Sequence, residues 1–244
     1  AMRWCVHLEA RLVEVQQWFD EAGGVEMRVL KGPAVAHLDE PDPALRSFSD
    51  LDLLIAPHHL DRAMAALGAH GAVRRIPQRR PGFDRRFGKG VGTTCADGVE
   101  IDVHRTLVGR AHGFRIPVDD LFAAPEAFEV GGHRFWALTR PHRALHAAYH
   151  AMAGSPAPPL HSIRDLGGYL VHPDLGPDVL DPIAERWRGR AVLAEAVAVT
   201  LATFDPTADE PAWQRWRDWL ATVEVDPADT ALLARGREPS PWPL

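Results

Sequence analysis

Asp50 and Asp52 stand two residues apart in the run Arg46-Ser47-Phe48-Ser49-Asp50-Leu51-Asp52-Leu53-Leu54-Ile55, and their type and spacing are what chemistry at a cation requires. In an extended strand side chains alternate, so Asp50, Asp52 and Leu54 share one face while Leu51, Leu53 and Ile55 share the other. The two carboxylates then lie roughly 6 to 7 Å apart, close enough to ligate one divalent ion or to bridge a pair. A structural strand gains nothing from such a pair, because Asp is depleted in strands and like charges side by side repel. A bound cation removes that penalty. The competing reading is a solvated strand entrance in which Ser49 and Asp50 serve as turn residues.

A third carboxylate follows from parity. Residues 91–95 and 99–103 read as strands joined by Ala96-Asp97-Gly98, whose Asp-Gly pair signals a hairpin. In the second strand Val99, Ile101 and Val103 form the apolar face, leaving Glu100, Asp102 and His104 on the other. Pairing of this strand beside that of Asp52, at a spacing of about 4.8 Å, brings Asp102 to the first two acids. Clustered aspartates call for cations between them, and an all-oxygen set points to Mg²⁺ or Mn²⁺.

Upstream, residues 27–30 read as a short buried strand, and Lys31-Gly32-Pro33 turns sharply into a helix over 34–38. The backbone N–H groups of such a turn can hold a phosphate with Lys31 as a point charge beside them; the alternative is a tight turn in which Gly32 serves geometry alone. Arg46 and Ser49 are the further candidates for phosphate contact, Arg46 competing with a role as a cap or surface ion pair.

The elements needed to position these residues are legible in outline. Apolar residues Leu8, Leu12, Val15, Trp18 and Phe19 predict an N-terminal amphipathic helix, and residues 57–67 a second, before a short strand at 72–73. Helix and strand alternate over the first 75 residues or so, which implies a mixed α/β sheet with its ligand site at the strand ends. Residues 128–138 read as a hairpin around Gly131-Gly132, expected as a separate small ribbon. Helices are expected over 141–152, 160–170, 177–187, 191–204 and 211–223, a C-terminal bundle in which Trp213, Trp216 and Trp219 pack. His142, His146 and His150 share one helix face, but a zinc site needs further ligands, and His161 and Asp165 lie across a Pro-rich loop at 155–159; packing is the expected role.

Charge and composition bound the partners. Arg74, Arg75, Arg79, Arg80, Arg85, Arg86 and Lys89 face a single acid, Asp84, so this segment carries a local +6 on a chain of net charge −6. One anionic ligand fits such a segment better than an extended nucleic acid, and its prolines and glycine make it a loop or hairpin arm; a solvated loop is the alternative. No apolar run nears the roughly 20 residues of a spanning helix. The start of the chain lacks a signal-peptide core, and two cysteines, Cys5 and Cys95, make no framework; a cytoplasmic location is expected.

Taken together, Leu30-Lys31-Gly32-Pro33-Ala34, then residues 46–54, then Ile101-Asp102-Val103-His104 resemble, in order and spacing, a sparsely characterised nucleotidyltransferase family of the DNA polymerase β-like superfamily. The resemblance implies a polymerase β-like α/β core over 1–138 with a mixed sheet, a helical domain over 139–235, and a loosely attached tail over 236–244. It also implies metal binding by Asp50 and Asp52, with Asp102 as third ligand or base, and a nucleoside triphosphate as donor; His104 is then a candidate for contact with nucleotide or acceptor, competing with a hydrogen bond inside the fold. Lys31-Gly32 stands where the superfamily carries a Gly-Ser pair, and Lys31 is expected to compensate. The expected reaction moves a nucleoside monophosphate to a hydroxyl or phosphate of a small molecule or peptide, with natural-product tailoring as one setting. The alternative is a non-catalytic nucleotide-binding or antitoxin-type module on the same fold.

Overall fold

The computed structural model of the protein describes residues 2–153, 158–204 and 211–237. The chain forms two compact units: Ala1–Thr106 with Val118–Thr139, and Leu107–Pro117 with Arg140–Leu244.

The first unit is built on helix α1 (Met2–Glu21), whose Leu8, Leu12, Val15 and Phe19 recur at helical spacing and are fully buried. Strand β1 (Met27–Val29), helix α2 (Pro33–Leu38), strand β2 (Leu51–Ile55) and helix α3 (Leu60–Ala69) follow. Next come edge strand β3 (Val73–Arg74), a short helix α4 (Phe83–Phe87), and strands β4 (Gly90–Thr94) and β5 (Glu100–His104). After α5 (Arg110–Gly113), which belongs to the second unit, helix α6 (Val118–Ala123) and strands β6 (Glu126–Val130) and β7 (His133–Ala137) complete the first.

Seven strands form one mixed sheet in the order β3-β4-β5-β2-β1-β7-β6. The pairs β2–β5 and β1–β7 are parallel and the rest antiparallel. One face is the core: Leu51, Leu53, Ile55, Ile101 and Val103 pack with the apolar stripe of α1 and with Ala63 and Leu67 of α3. Asp97, in the β4–β5 turn, ties the sheet to α1. Its Oδ2 lies 2.6 Å from His7 Nε2 and accepts a 2.7 Å bond from Arg11. Desolvation alone would raise this carboxyl, but the Arg11 and His7 hydrogen bonds outweigh it and hold the pKa down to about 2.

Three expectations change. The hairpin of β6 and β7 is no separate ribbon: β7 pairs with β1, Val29 opposite Ala137, and Phe128, Val130, Phe135 and Ala137 belong to the central core. The basic arm is not all loop, since Gly82, in the left-handed region at φ 75°, starts α4 within it. A further helix appears in the second unit, which comprises α7 (Arg140–Ala153), α8 (Leu160–Val171), α9 (Pro177–Arg186), α10 (Arg190–Phe204), α11 (Pro211–Thr222) and α12 (Pro227–Arg237). The last lacks a strong apolar stripe. Asp226 precedes it, its Oδ1 accepting from Ala228 N at 2.8 Å, and it is held by Asp229, paired with Arg115 at 2.6 Å. The Pro-rich loop falls partly, and the expected tail mostly, outside the described residues.

Helix α10 packs on α7 and α8, with Trp187 and Trp216 fully buried; Trp216 Nε1 donates to Leu170 O at 2.8 Å. His142 stacks on Trp187 with ring centroids 5.3 Å apart and His146 is buried, so the histidine face packs as expected. No described helix is long and apolar enough to cross a membrane.

If the hairpin is part of the core, Phe135→Ala should destabilise the first unit by about 3 to 5 kcal/mol, the scale for emptying a buried aromatic site. Urea denaturation would register this as a lower midpoint for the core transition; an unchanged midpoint would mean the hairpin folds apart.

Candidate metal and phosphate site

Parallel pairing of β2 with β5 sets Asp52 directly opposite Asp102 and Leu54 opposite His104. These side chains stand on the face away from the core, as alternation requires. One potential ligand atom from each of Asp52, Asp102 and His104 lies within 4.8 Å of the other two, a grouping formed by no other described residues. Asp50 stands just outside, in the bend before β2, half-buried, with the Ser49 hydroxyl donating to its Oδ1 at 3.3 Å. The described set therefore pairs Asp52 and Asp102 with an imidazole, and Asp50 flanks it.

Each acid has a distinct electrostatic setting. Asp52 is 5 % exposed, and its two oxygens face Lys31 Nζ at 3.0 Å and His104 Nε2 at 2.7 Å. Burial works to raise its pKa, but the His104 hydrogen bond and the Lys31 charge prevail and hold it far below the carboxylate range. Asp50 shifts the other way: burial comes first, then repulsion from Asp52 and Asp102, and Lys31 only partly offsets them. Asp102 is partly exposed and bonded by Arg75, which also reaches Glu100. Lys89 is exposed as a residue, and its ammonium is within electrostatic reach of Lys31 and the three acids. Desolvation and then the Lys31 charge lower its pKa, against the attraction of Asp52, Asp102 and Asp50.

The remaining sequence candidates fall as follows. Lys31 and Gly32 follow β1, and Leu30 N donates to Asp52 O at 2.9 Å, fixing the turn beside β2. Gly32 caps α2 at φ 52°, ψ −113°, and a Cβ there would sit 3.3 Å from the Phe48 ring, so both conformation and space call for glycine. Helix α2 has only six residues. Ser49 reaches Asp50. Arg46 follows a 3₁₀ turn, Pro43–Leu45, with its backbone N donating to Pro43 O at 3.2 Å. His104, expected at nucleotide or acceptor, is 3 % exposed and bonded to Asp52, with its buried Nδ1 unpartnered. Two residues were missed: Lys89 and Arg75 were read only as parts of a basic segment, and nothing local distinguishes them from Arg79 or Arg86.

These donors fit a small divalent cation. Carboxylate oxygens are the ligands that suit Mg²⁺ or Mn²⁺, whereas the His104 imidazole, engaged with Asp52, departs from the all-oxygen set expected; burial, and then repulsion from Asp52 and Asp102, raises the Asp50 carboxyl.

A solved structure of an antigenic nucleotidyltransferase-like protein from Paracoccidioides brasiliensis is similar in fold, with a TM-score of 0.51 and 15% sequence identity, covering 85% of this chain and 92% of that one. The family profile described as an uncharacterised nucleotidyltransferase matches residues 6–205, and the chain belongs to that family. No curated protein matches it.

The two aspartates should affect stability in opposite senses. A carboxyl lowered in the folded state stabilises above its unfolded pKa and loses that contribution as pH falls; a raised one costs stability as pH climbs through the carboxylate range. In chelator at neutral pH, Asp52→Asn should therefore lose about 3 kcal/mol, the scale for breaking a buried ion pair, and Asp50→Asn should gain stability. Urea denaturation from acid to neutral pH checks both signs; destabilisation by Asp50→Asn would refute the raised Asp50 pKa.

Proposed function

We propose that the protein is a metal-dependent nucleotidyltransferase that moves a nucleoside monophosphate from a nucleoside triphosphate to a hydroxyl or phosphate of a small molecule or peptide. The observation that carries this reading is the register of Asp52 opposite Asp102, with ligand atoms from both acids and His104 within 4.8 Å, flanked by two lysines. Asp52 and Asp102, with Asp50 beside them, would hold Mg²⁺ or Mn²⁺. The chemistry such an ion supplies is neutralisation of the triphosphate and of the leaving pyrophosphate.

The protein's own groups divide the rest. Lys31 and Lys89 provide positive charge for phosphate oxygens. Gly32 lets the chain turn tightly beside Asp50, with Ser49 and Arg46 as further phosphate contacts. His104, through its bond to Asp52, orients that carboxylate. In the transfer the acceptor oxygen attacks the α-phosphorus, the new O–P bond forms, the bond from the α-phosphorus to the bridging oxygen of the β-phosphate breaks, and pyrophosphate leaves. The acceptor proton passes to Asp102. Acceptor choice is assigned to the helical residues 139–235, and the reaction to the cytoplasm.

A second reading has an observation of its own. Asp52 and Asp102 are already paired, with Lys31 and Arg75 respectively, as in a module that binds nucleotide without turnover. Incubation with each nucleoside triphosphate, Mg²⁺ and candidate acceptors, following pyrophosphate release and acceptor mass, separates the two. Turnover that falls about a hundredfold or more in Asp52→Asn and Asp102→Asn is expected for the enzyme. Metal-dependent nucleotide binding with no turnover on any acceptor would favour the module.

A further inference from the structure

Arg75 occupies a seat that the mechanism above leaves unexplained. Its backbone N donates to Gly92 O at 2.9 Å, fixing the start of the basic arm to β4. Its guanidinium forks, Nη1 meeting Glu100 Oε2 at 2.5 Å and Nη2 meeting Asp102 Oδ1. Gly92 stands opposite Asp102 in the β4–β5 register, and a Cβ at Gly92 would overlap the guanidinium itself. A bare strand position and two carboxylates thus shape a site for one planar cation. The seat is also shallow, because 38% of the Arg75 side chain is exposed.

The contrast with Lys31 is informative. Lys31 pairs with an acid that is almost wholly buried, whereas Arg75 binds the more exposed of the two opposed acids, where an ion pair is weak enough to be exchanged. Arg75 holds Oδ1 of Asp102, and its positive charge there opposes the entry of a cation to either oxygen of that carboxylate. We propose that Arg75 is the displaceable counter-ion of this site: it neutralises Asp102 while no divalent cation is bound and leaves its seat when one enters. This rests on the reading of Asp52 and Asp102 as cation ligands. Arg75 is then a positioning residue, keeping two opposed acids together in the sheet.

Mn²⁺ alone, titrated against the full chain without nucleotide and followed by the electron paramagnetic resonance of the free ion, tests this apart from activity. Arg75→Gln should bind Mn²⁺ about tenfold more tightly, the scale of one charge-assisted hydrogen bond. Gly92→Ala removes no charge but takes the space of the guanidinium, so it should also tighten binding. Arg79→Gln removes an arm charge outside the seat and should leave affinity within about twofold of wild type, as expected where exposed charges are screened. Equal or weaker binding in Arg75→Gln overturns the proposal, as does equal tightening in Arg75→Gln and Arg79→Gln with none in Gly92→Ala. If Mn²⁺ uptake depends on Asp52 but not on Arg75, only the counter-ion role falls; if no variant binds Mn²⁺, the cation-site reading falls with it.

Discussion

Two carboxylates on adjacent parallel strands, Asp52 and Asp102, are the constraint that the surrounding structure answers. Strands lie about 4.8 Å apart, and like charges directly opposite one another weaken the pairing that holds them. The sheet order supplies the remedy. Strands β3, β4 and β1 lie within two places of the acidic pair, and the chain next to each carries one base: Arg75 after β3, Lys89 before β4, Lys31 after β1. Arg105 pins the arm's return, its backbone N bonding Lys89 O and its Nε bonding Gly88 O, both at 2.8 Å. Three acids and three bases therefore meet at one edge of the polar face.

The other face makes this arrangement affordable. Leu51, Leu53, Ile55, Ile101 and Val103 alternate with the polar residues and bury fully against α1 and α3, so the same strands that carry repelling charges also carry the centre of the core. A slip of one residue in either strand would put an aspartate among leucines, which fixes the register firmly. Rigidity of this kind is what a cation site needs, since ligands on strands hold their positions better than ligands on loops. Asp50 is the exception, sitting half-buried in the bend before β2.

What the sequence made legible was what depends on local rules. The Asp-Gly turn and the alternation Val99, Ile101, Val103 put Asp102 on the correct face, and the mixed sheet followed from alternating helices and strands. Gly32 was marked as a turn residue, and its positive φ gives the reason. What escaped depends on distant pairing. Residues 133–137 join a strand more than a hundred positions earlier, so a hairpin that looked detached is an arm of the sheet. Arg75 and Lys89 look like Arg79 until the sheet order brings them to the acids. Helix α12 escaped because a partly buried ion pair, Asp229 with Arg115, holds it where an apolar stripe would be expected.

The central claim is that the meeting point of β2 and β5 receives a divalent cation together with a nucleotide. A crystal grown with Mn²⁺ and a non-hydrolysable nucleoside triphosphate, examined by anomalous scattering from manganese, tests it most directly. The account predicts a manganese peak within coordination distance of both Asp52 and Asp102, with phosphate oxygens beside Lys31. Manganese bound elsewhere, or nucleotide bound with both acids still closed by Lys31 and Arg75, would contradict it.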